Sequence, residues 1–124
     1  MQYTEKVMEA FQNPKNVGEI ENYDGMGMIG SEACGDIMQV FIKVENGVIT
    51  DAKFKTFGCA AAIATSSTAT EMIKGMTVDE ALEVTNKKVI EVLGGLPPQK
   101  IHCSVLAEQA IKAAIEDYKS RRGD

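Results

Sequence analysis

Apolar and polar residues alternate most cleanly from Ile37 to Val44. Met38, Val40, Ile42 and Val44 fall on one side, and Ile37, Gln39, Phe41 and Lys43 on the other. A two-residue period marks a strand with one face in a core. Glu45-Asn46-Gly47 follows, and Asn-Gly favours a tight hairpin because both residues tolerate positive φ. The returning strand places Val48, Thr50, Ala52, Phe54 and Thr56 on one face and Asp51, Lys53 and Lys55 on the other, and Phe57-Gly58-Cys59 closes it. Residues 15 to 30, rich in Gly and Asn, read as irregular apart from a further strand over Met26–Ala33.

The rest of the pattern is helical. Thr4 caps a short helix with Val7, Met8 and Phe11 on one face, which ends at Asn13-Pro14. From Ala60 the run AAAIATSSTATEMIKG is dominated by small residues, and Gly75 supplies its stop. Thr77-Val78-Asp79-Glu80 has the form of a capping box opening a second short helix. A third spans roughly Asn86–Leu93 and ends at Gly94-Gly95. Pro97 and Pro98 keep the chain extended as far as Lys100. A last helix runs from about His102 to Arg121, with Leu106, Ala110, Ala113, Ala114 and Asp117 along one stripe. Strands come first and helices afterwards, so the expected class is α+β: an antiparallel sheet of about three strands with helices on one side.

Composition narrows the function classes. At 124 residues the chain is long enough for one domain with a real core, and residues 1–124 read as a single domain. The net charge of −5 argues against a nucleic-acid partner, which needs a basic face. No apolar run approaches the ~20 residues of a bilayer span, and the start MQYTEKVMEAF has no secretory pattern. Three cysteines are an odd number without an export signal. They read as reduced thiols in a cytoplasmic protein rather than as a disulfide framework.

Each cysteine falls at a junction between elements. Cys34 precedes the first clear strand in Ala33-Cys34-Gly35-Asp36, Cys59 separates the hairpin from the long helix, and Cys103 lies in the first turn of the last helix. Loops and element ends held on a rigid scaffold commonly carry chemistry. The only histidine, His102, stands beside Cys103 and close to Lys100. A helix start and basic neighbours both favour thiolate, the form that binds metals and attacks sulfur. Buried free cysteines are also ordinary core fillers. Three junction placements beside Gly, Asp and His weigh toward a zinc or iron–sulfur site, and no CxxC pair chooses between the two. A thiol enzyme with His102 as base to Cys103 is disfavoured, because adjacent helical residues diverge by about 100°.

Two motifs are set aside. Gly25-Met26-Gly27-Met28-Ile29-Gly30 matches the dinucleotide fingerprint G-x-G-x-x-G but lacks the strand before it and the helix after it. Ser66, Ser67 and Thr68 lie within a helix without a nucleophile-elbow context, and so read as small-residue packing.

Four stretches follow one another from near the start of the chain to near its end: YTEKVMEAFQNPKNVG, ACGDIM, FKTFGCAAAIATSS and LPPQKIHCSVLAEQAI. In these the sequence resembles the iron–sulfur cluster assembly scaffold family, the IscU type that also forms the N-terminal domain of NifU. The resemblance implies a scaffold rather than an enzyme. A transient [2Fe-2S] cluster would be built on it from desulfurase-derived sulfur and iron, then passed to apo iron–sulfur proteins. It implies Cys34, Cys59 and Cys103 as cluster-binding cysteines, Asp36 and His102 as auxiliary metal ligands, and zinc as a further occupant of the same residues. Cys103, at its helix start, is the candidate sulfur acceptor. The implied partners are a cysteine desulfurase, iron and electron donors, apo-proteins and, in some members, an Hsp70-type chaperone that recognises the segment matching Leu96-Pro97-Pro98-Gln99-Lys100. A homo-oligomer around the cluster is compatible with this picture.

The chain also departs from the family. Ala60 stands where a glycine usually follows the second cysteine, Gln99 replaces the usual valine of the chaperone segment, and Glu9-Ala10 stands where an acidic-His pair is common. A related branch that relays sulfur with zinc carries an insertion between the second and third cysteines. That sulfurtransferase role is the alternative function, and the short interval here favours the cluster scaffold.

Overall fold

The computed structural model describes residues 3–31, 36–58, 60–96 and 101–122, with the backbone alone for Ser31, Asp36, His102, Cys103, Ser104 and Arg122. Among these, the order is α1 (Glu5–Gln12), β1 (Gly25–Ser31), β2 (Asp36–Glu45), β3 (Val48–Phe57), α2 (Ala60–Ile73), α3 (Val78–Ala81), α4 (Asn86–Val92) and α5 (Ile101–Arg122). The strands form one antiparallel sheet in the order β1-β2-β3. Helix α5 packs on β1 and β2, α2 packs on β3, and α1 and α4 pack on α2. The class is α+β, as the order of patterns implied.

Local chemistry accounts for the element ends. Thr4 caps α1 by accepting a bond from the Val7 amide at 3.1 Å. Asn46 and Gly47 both take positive φ, 54° and 77°, and turn β2 into β3. Thr77 and Glu80 form the reciprocal capping box of α3. Gly75, with φ 89°, follows α2.

The core lies between the inner face of the sheet and the helices. Met38, Val40, Ile42, Ala52 and Phe54 meet Ala62 and Ala69 of α2 and Leu106, Ala110 and Ile111 of α5. Removing a side chain such as Phe54 or Ile42 from water contributes about 1.5–3 kcal/mol. The hydroxyls buried in α2 bond to carbonyls of their own helix, Thr65 to Ala61, Ser66 to Ala62 and Thr70 to Ser66, each at 2.7 Å. Ser66 is thus a packing residue of a helix that lies close to the sheet, whereas the Ser67 hydroxyl accepts the Lys15 amide at 2.8 Å.

Five expectations need correction. Val7 is buried, but Met8 and Phe11 are about two-fifths exposed, because α1 meets the body of the protein along a narrow line. On β3 it is Ile49, not Val48 or Thr50, that enters the core. Lys43 pairs with Asp51 and Val44 with Ile49, so Thr50 is an extra residue in β3, a bulge that reverses the facing beyond it. Residues 16–18 are not wholly irregular: Phe54 donates to the Asn16 carbonyl and Gly18 to the Phe54 carbonyl, both along the outer edge of β3. Asp117 is no part of an apolar stripe; its carboxylate accepts the Met26 amide at 3.0 Å and Arg121 Nε at 2.8 Å. The strand expected over Met26–Ala33 is found at Gly25–Ser31, and Ala33 lies outside the described residues.

Candidate functional site

The sheet has one end at which several chain segments meet. Ser31 pairs with Asp36, Gly30 with Ile37, and Ile37 with Phe57, so the end of β1, the start of β2 and the end of β3 are level. Helix α2 begins three positions after Phe57, at Ala60.

Helix α5 reaches the same end. Gly25 lies against Ala114 and Tyr118, and Gly27 against Ala110, Ala113 and Ala114, so α5 runs antiparallel to β1. At ~3.3 Å per strand residue, Gly27 to Ser31 covers about 13 Å, which takes roughly nine helical residues at ~1.5 Å each. Counting back from Ala110 brings the first turn of α5 alongside Ser31.

The candidate ligands relate to this end as follows. Cys34 falls in the short connection between Ser31 and Asp36, and Cys59 between Gly58 and Ala60; both lie outside the described residues, as do Pro97, Pro98, Gln99 and Lys100. Asp36 is the first residue of β2, and His102 and Cys103 are in the first turn of α5, each placed by its backbone. Leu96 packs partly against the core. The described elements therefore bring together the positions that flank all three cysteines. Among the described residues, no three His, Cys, Asp or Glu side chains gather closely enough to hold a metal ion.

Two features of this end were not singled out in the sequence. One is an exposed apolar rim: Phe57 is 80% exposed, and Ile37 and Ile101 are 46% and 40% exposed. Its signal was present, since the alternation of β2 and β3 puts an isoleucine and a phenylalanine on the solvent face. The other is Thr56, whose hydroxyl donates to the Ile37 carbonyl at 2.6 Å and so ties β3 to β2 near their last rung.

Other features lie away from this end. A groove of about 350 Å³ opens between α1, α2 and α4, lined in part by Lys6, Glu9, Ala10, Glu71 and Met72. Its α2 residues begin at Ser67, about 10 Å along the helix axis from Ala60. Near it, the Asn16 amide donates to Glu71 at 3.0 Å and holds that carboxyl below the ordinary glutamate range, with Lys74 and Lys15 reinforcing the effect against a smaller opposing one from burial. Lys74 also reaches Asn16 and, at 3.8 Å, Asp51. These contacts fasten the 15–18 segment to α2 and β3 and contribute no donor to the sheet end. No helix among the described residues is long and apolar enough to cross a membrane.

Known proteins resemble the chain over most of its length. The model of the NifU-like N terminal domain family matches residues 2–124. Two iron–sulfur cluster assembly scaffold proteins of Archaeoglobus fulgidus, both named IscU, are each 58% identical over 121 residues, covering 98% of this chain and 79% of theirs. The scaffold protein IscU of Escherichia coli K12 is 56% identical over 126 residues, covering 98% of each chain. Among solved structures, the N-terminal part of a NifU-like protein from Brucella abortus superposes with a TM-score of 0.76 at 20% identity, over 94% of each chain, a likeness of fold.

Proposed function

We infer how this chain works from one premise: it belongs to the NifU-like N-terminal domain family, and its function is that of an iron–sulfur cluster assembly scaffold. A scaffold collects components and hands on a product rather than turning over a substrate, so the chain's own groups need to bind, hold and release. The cargo we propose is a [2Fe-2S] cluster, with Cys34, Cys59 and Cys103 as its thiolate ligands and Asp36 and His102 as auxiliary ligands. Sulfur donors suit iron–sulfur centres, and a carboxylate or imidazole adds a harder, weaker fourth bond.

The observation that carries this reading is the convergence at one end of the sheet. The paired Ser31 and Asp36, the end of β3 at Phe57, the start of α2 at Ala60 and the first turn of α5 meet there, and every proposed ligand lies within or next to one of these elements.

Sulfur arrives, in this reading, as the persulfide of a cysteine desulfurase. The Cys103 thiolate attacks the outer sulfur, a new S–S bond forms at Cys103, and the desulfurase cysteine leaves as thiolate. Each transferred sulfur then takes up two electrons from an electron donor to become sulfide, and iron donors supply the metal. The start of α5 favours the Cys103 thiolate through the helix dipole. Apo iron–sulfur proteins receive the product, and the apolar rim of Ile37, Phe57 and Ile101 offers a face on which delivering and receiving proteins can dock. An Hsp70-type chaperone at Leu96–Lys100 and a second copy around the cluster are further partners of this proposal. Zinc fits the same donor set in aerobically purified protein, through a tetrahedral subset such as Asp36, Cys59, His102 and Cys103.

The test is anaerobic reconstitution with iron and sulfide. A [2Fe-2S] visible spectrum is expected in wild type, and its loss or sharp weakening in Cys34→Ala, Cys59→Ala and Cys103→Ala. A variant that keeps full cluster content and lifetime removes its cysteine from the ligand set.

A further inference from the structure

The last rung of the β2–β3 ladder is Ile37 opposite Phe57, and it stands next to both cysteine-bearing connections: Cys34 is three positions before Ile37 and Cys59 two after Phe57. Little burial holds this rung closed, since the two side chains are 46% and 80% exposed. Ends of ladders with few buried contacts open locally at small cost. The rung needs another tie, and Thr56 supplies one. Its hydroxyl donates to the Ile37 carbonyl at 2.6 Å, using an acceptor that has two lone pairs. Helix α2 packs on the same strand from the other side: Ser66 Oγ, whose proton goes to the Ala62 carbonyl, lies 2.9 Å from Met38 Sδ. The chain on both sides of Cys59 is thereby fixed to β2, and β2 begins at Asp36.

We propose that Thr56 is a positioning residue of the scaffold, whose hydroxyl keeps the arm carrying Cys59 in register with the arm carrying Cys34 and Asp36. It touches no cargo. It acts by suppressing the opening of the last rung, so the spacing between the two arms stays near the value a small cluster needs. This rests on the ligand set proposed above. Binding constellations tolerate only small errors of placement, and groups that lock the supporting elements set how tightly a site holds its ligand.

The experiment compares Thr56→Val, which keeps the shape and removes the donor, with Thr56→Ser, which keeps the donor. In the apo protein, amide hydrogen exchange at Ile37 and Phe57 is expected to rise about five- to tenfold in Thr56→Val, the change one hydrogen bond corresponds to. Amides nearer the strand centres should keep their wild-type rates, and Thr56→Ser should stay within about twofold of wild type. After anaerobic reconstitution, the visible absorbance of Thr56→Val should decay several-fold faster than wild type under one chelator concentration, with Thr56→Ser close to wild type.

Wild-type behaviour of Thr56→Val in both measurements would overturn the proposal. So would an equal defect in Thr56→Ser, which would make shape rather than the hydroxyl responsible, or faster exchange throughout the core, which would mark a general loss of stability. A wild-type chain that forms no cluster on its cysteines overturns the ligand set instead, and the exchange comparison still decides whether the hydroxyl holds the rung.

Discussion

Gly27 and Ala110 meet backbone to backbone: a Cβ on Gly27 would overlap the Ala110 carbonyl oxygen. Gly25 stands in the same relation to Ala114. The pair of glycines lets α5 settle directly on β1, and that contact sets how far along the strand the first turn of α5 reaches. The glycines that mimic a dinucleotide fingerprint are there, at these two positions, for close packing.

Gly27→Ala should therefore destabilise the fold by about 1–3 kcal/mol or more, since overpacking against backbone has little room to relax. Gly75→Ala is the control. Gly75 has φ 89° and nothing within 4 Å of an added Cβ, so only the left-handed backbone is strained, at about 1–2 kcal/mol. Gly75→Asn should cost less still. Urea midpoints rank the three, and a Gly27→Ala variant as stable as wild type would contradict the close contact.

The bulge at Thr50 makes a second comparison. Ile49 is fully buried, and Ile49→Ala should cost about 2–5 kcal/mol. Thr50 is exposed and its hydroxyl donates to the Lys43 carbonyl at 3.3 Å, a long bond, so Thr50→Ala should stay within about 1 kcal/mol. The simple alternation of β3 implies the reverse order, and denaturation of the two variants decides between them.

The bulge also marks where sequence reasoning ran out. Features set by neighbouring residues were legible: the Asn46-Gly47 turn, the Thr77/Glu80 capping box, the Thr4 cap and the period of β2. Features set by contact between distant segments were not. An extra residue at Thr50 leaves each half of β3 properly alternating, so the pattern alone cannot show that the two halves are out of phase. Asp117 sits at a helical spacing that suits an apolar stripe, and only the nearness of the Met26 amide explains a carboxylate there. The candidate site divides in the same way. That each cysteine lies at a junction follows from the pattern, whereas the meeting of those junctions depends on the register of α5 on β1.

The Asn16–Glu71 contact gives a pH dependence. The folded Glu71 carboxyl titrates below the ordinary value of 4.5, mainly because Asn16 donates to it. A lowered folded pKa adds stability that is complete above the unfolded value and is lost as pH falls through the folded one. Glu71→Gln should thus weaken the protein at neutral pH, by no more than about 1 kcal/mol because the side chain is half exposed to solvent. The difference from wild type should shrink as the pH falls below the ordinary glutamate value and vanish once it lies below the folded one. Urea unfolding of both proteins across that range measures it. A gap that stays constant with pH would show that charge at Glu71 is not involved.

The last prediction concerns release, which a scaffold needs as much as assembly. Asp36 opens β2 opposite Ser31, at the sheet end where the elements flanking the three cysteines meet. With three thiolates and one carboxylate, the proposed site has one bond that is harder and weaker than the rest, since thiolate suits iron–sulfur centres better than oxygen. Exchange of that bond for water or an incoming thiol is the easiest way for the cluster to begin leaving. Asp36→Ala should then still permit assembly, with His102 or a partner group in the vacant position, and should slow both decay and transfer. An ordinary surface carboxylate would give no such effect, because isolated surface charges contribute only ~0–1 kcal/mol. The measurement is the loss of visible absorbance from wild type and Asp36→Ala at one chelator concentration without oxygen, alongside transfer to an apo-ferredoxin. Slower loss in the variant assigns Asp36 as the labile ligand. Loss as fast as wild type, or faster, assigns lability to another group and leaves Asp36 with a structural role at the start of β2.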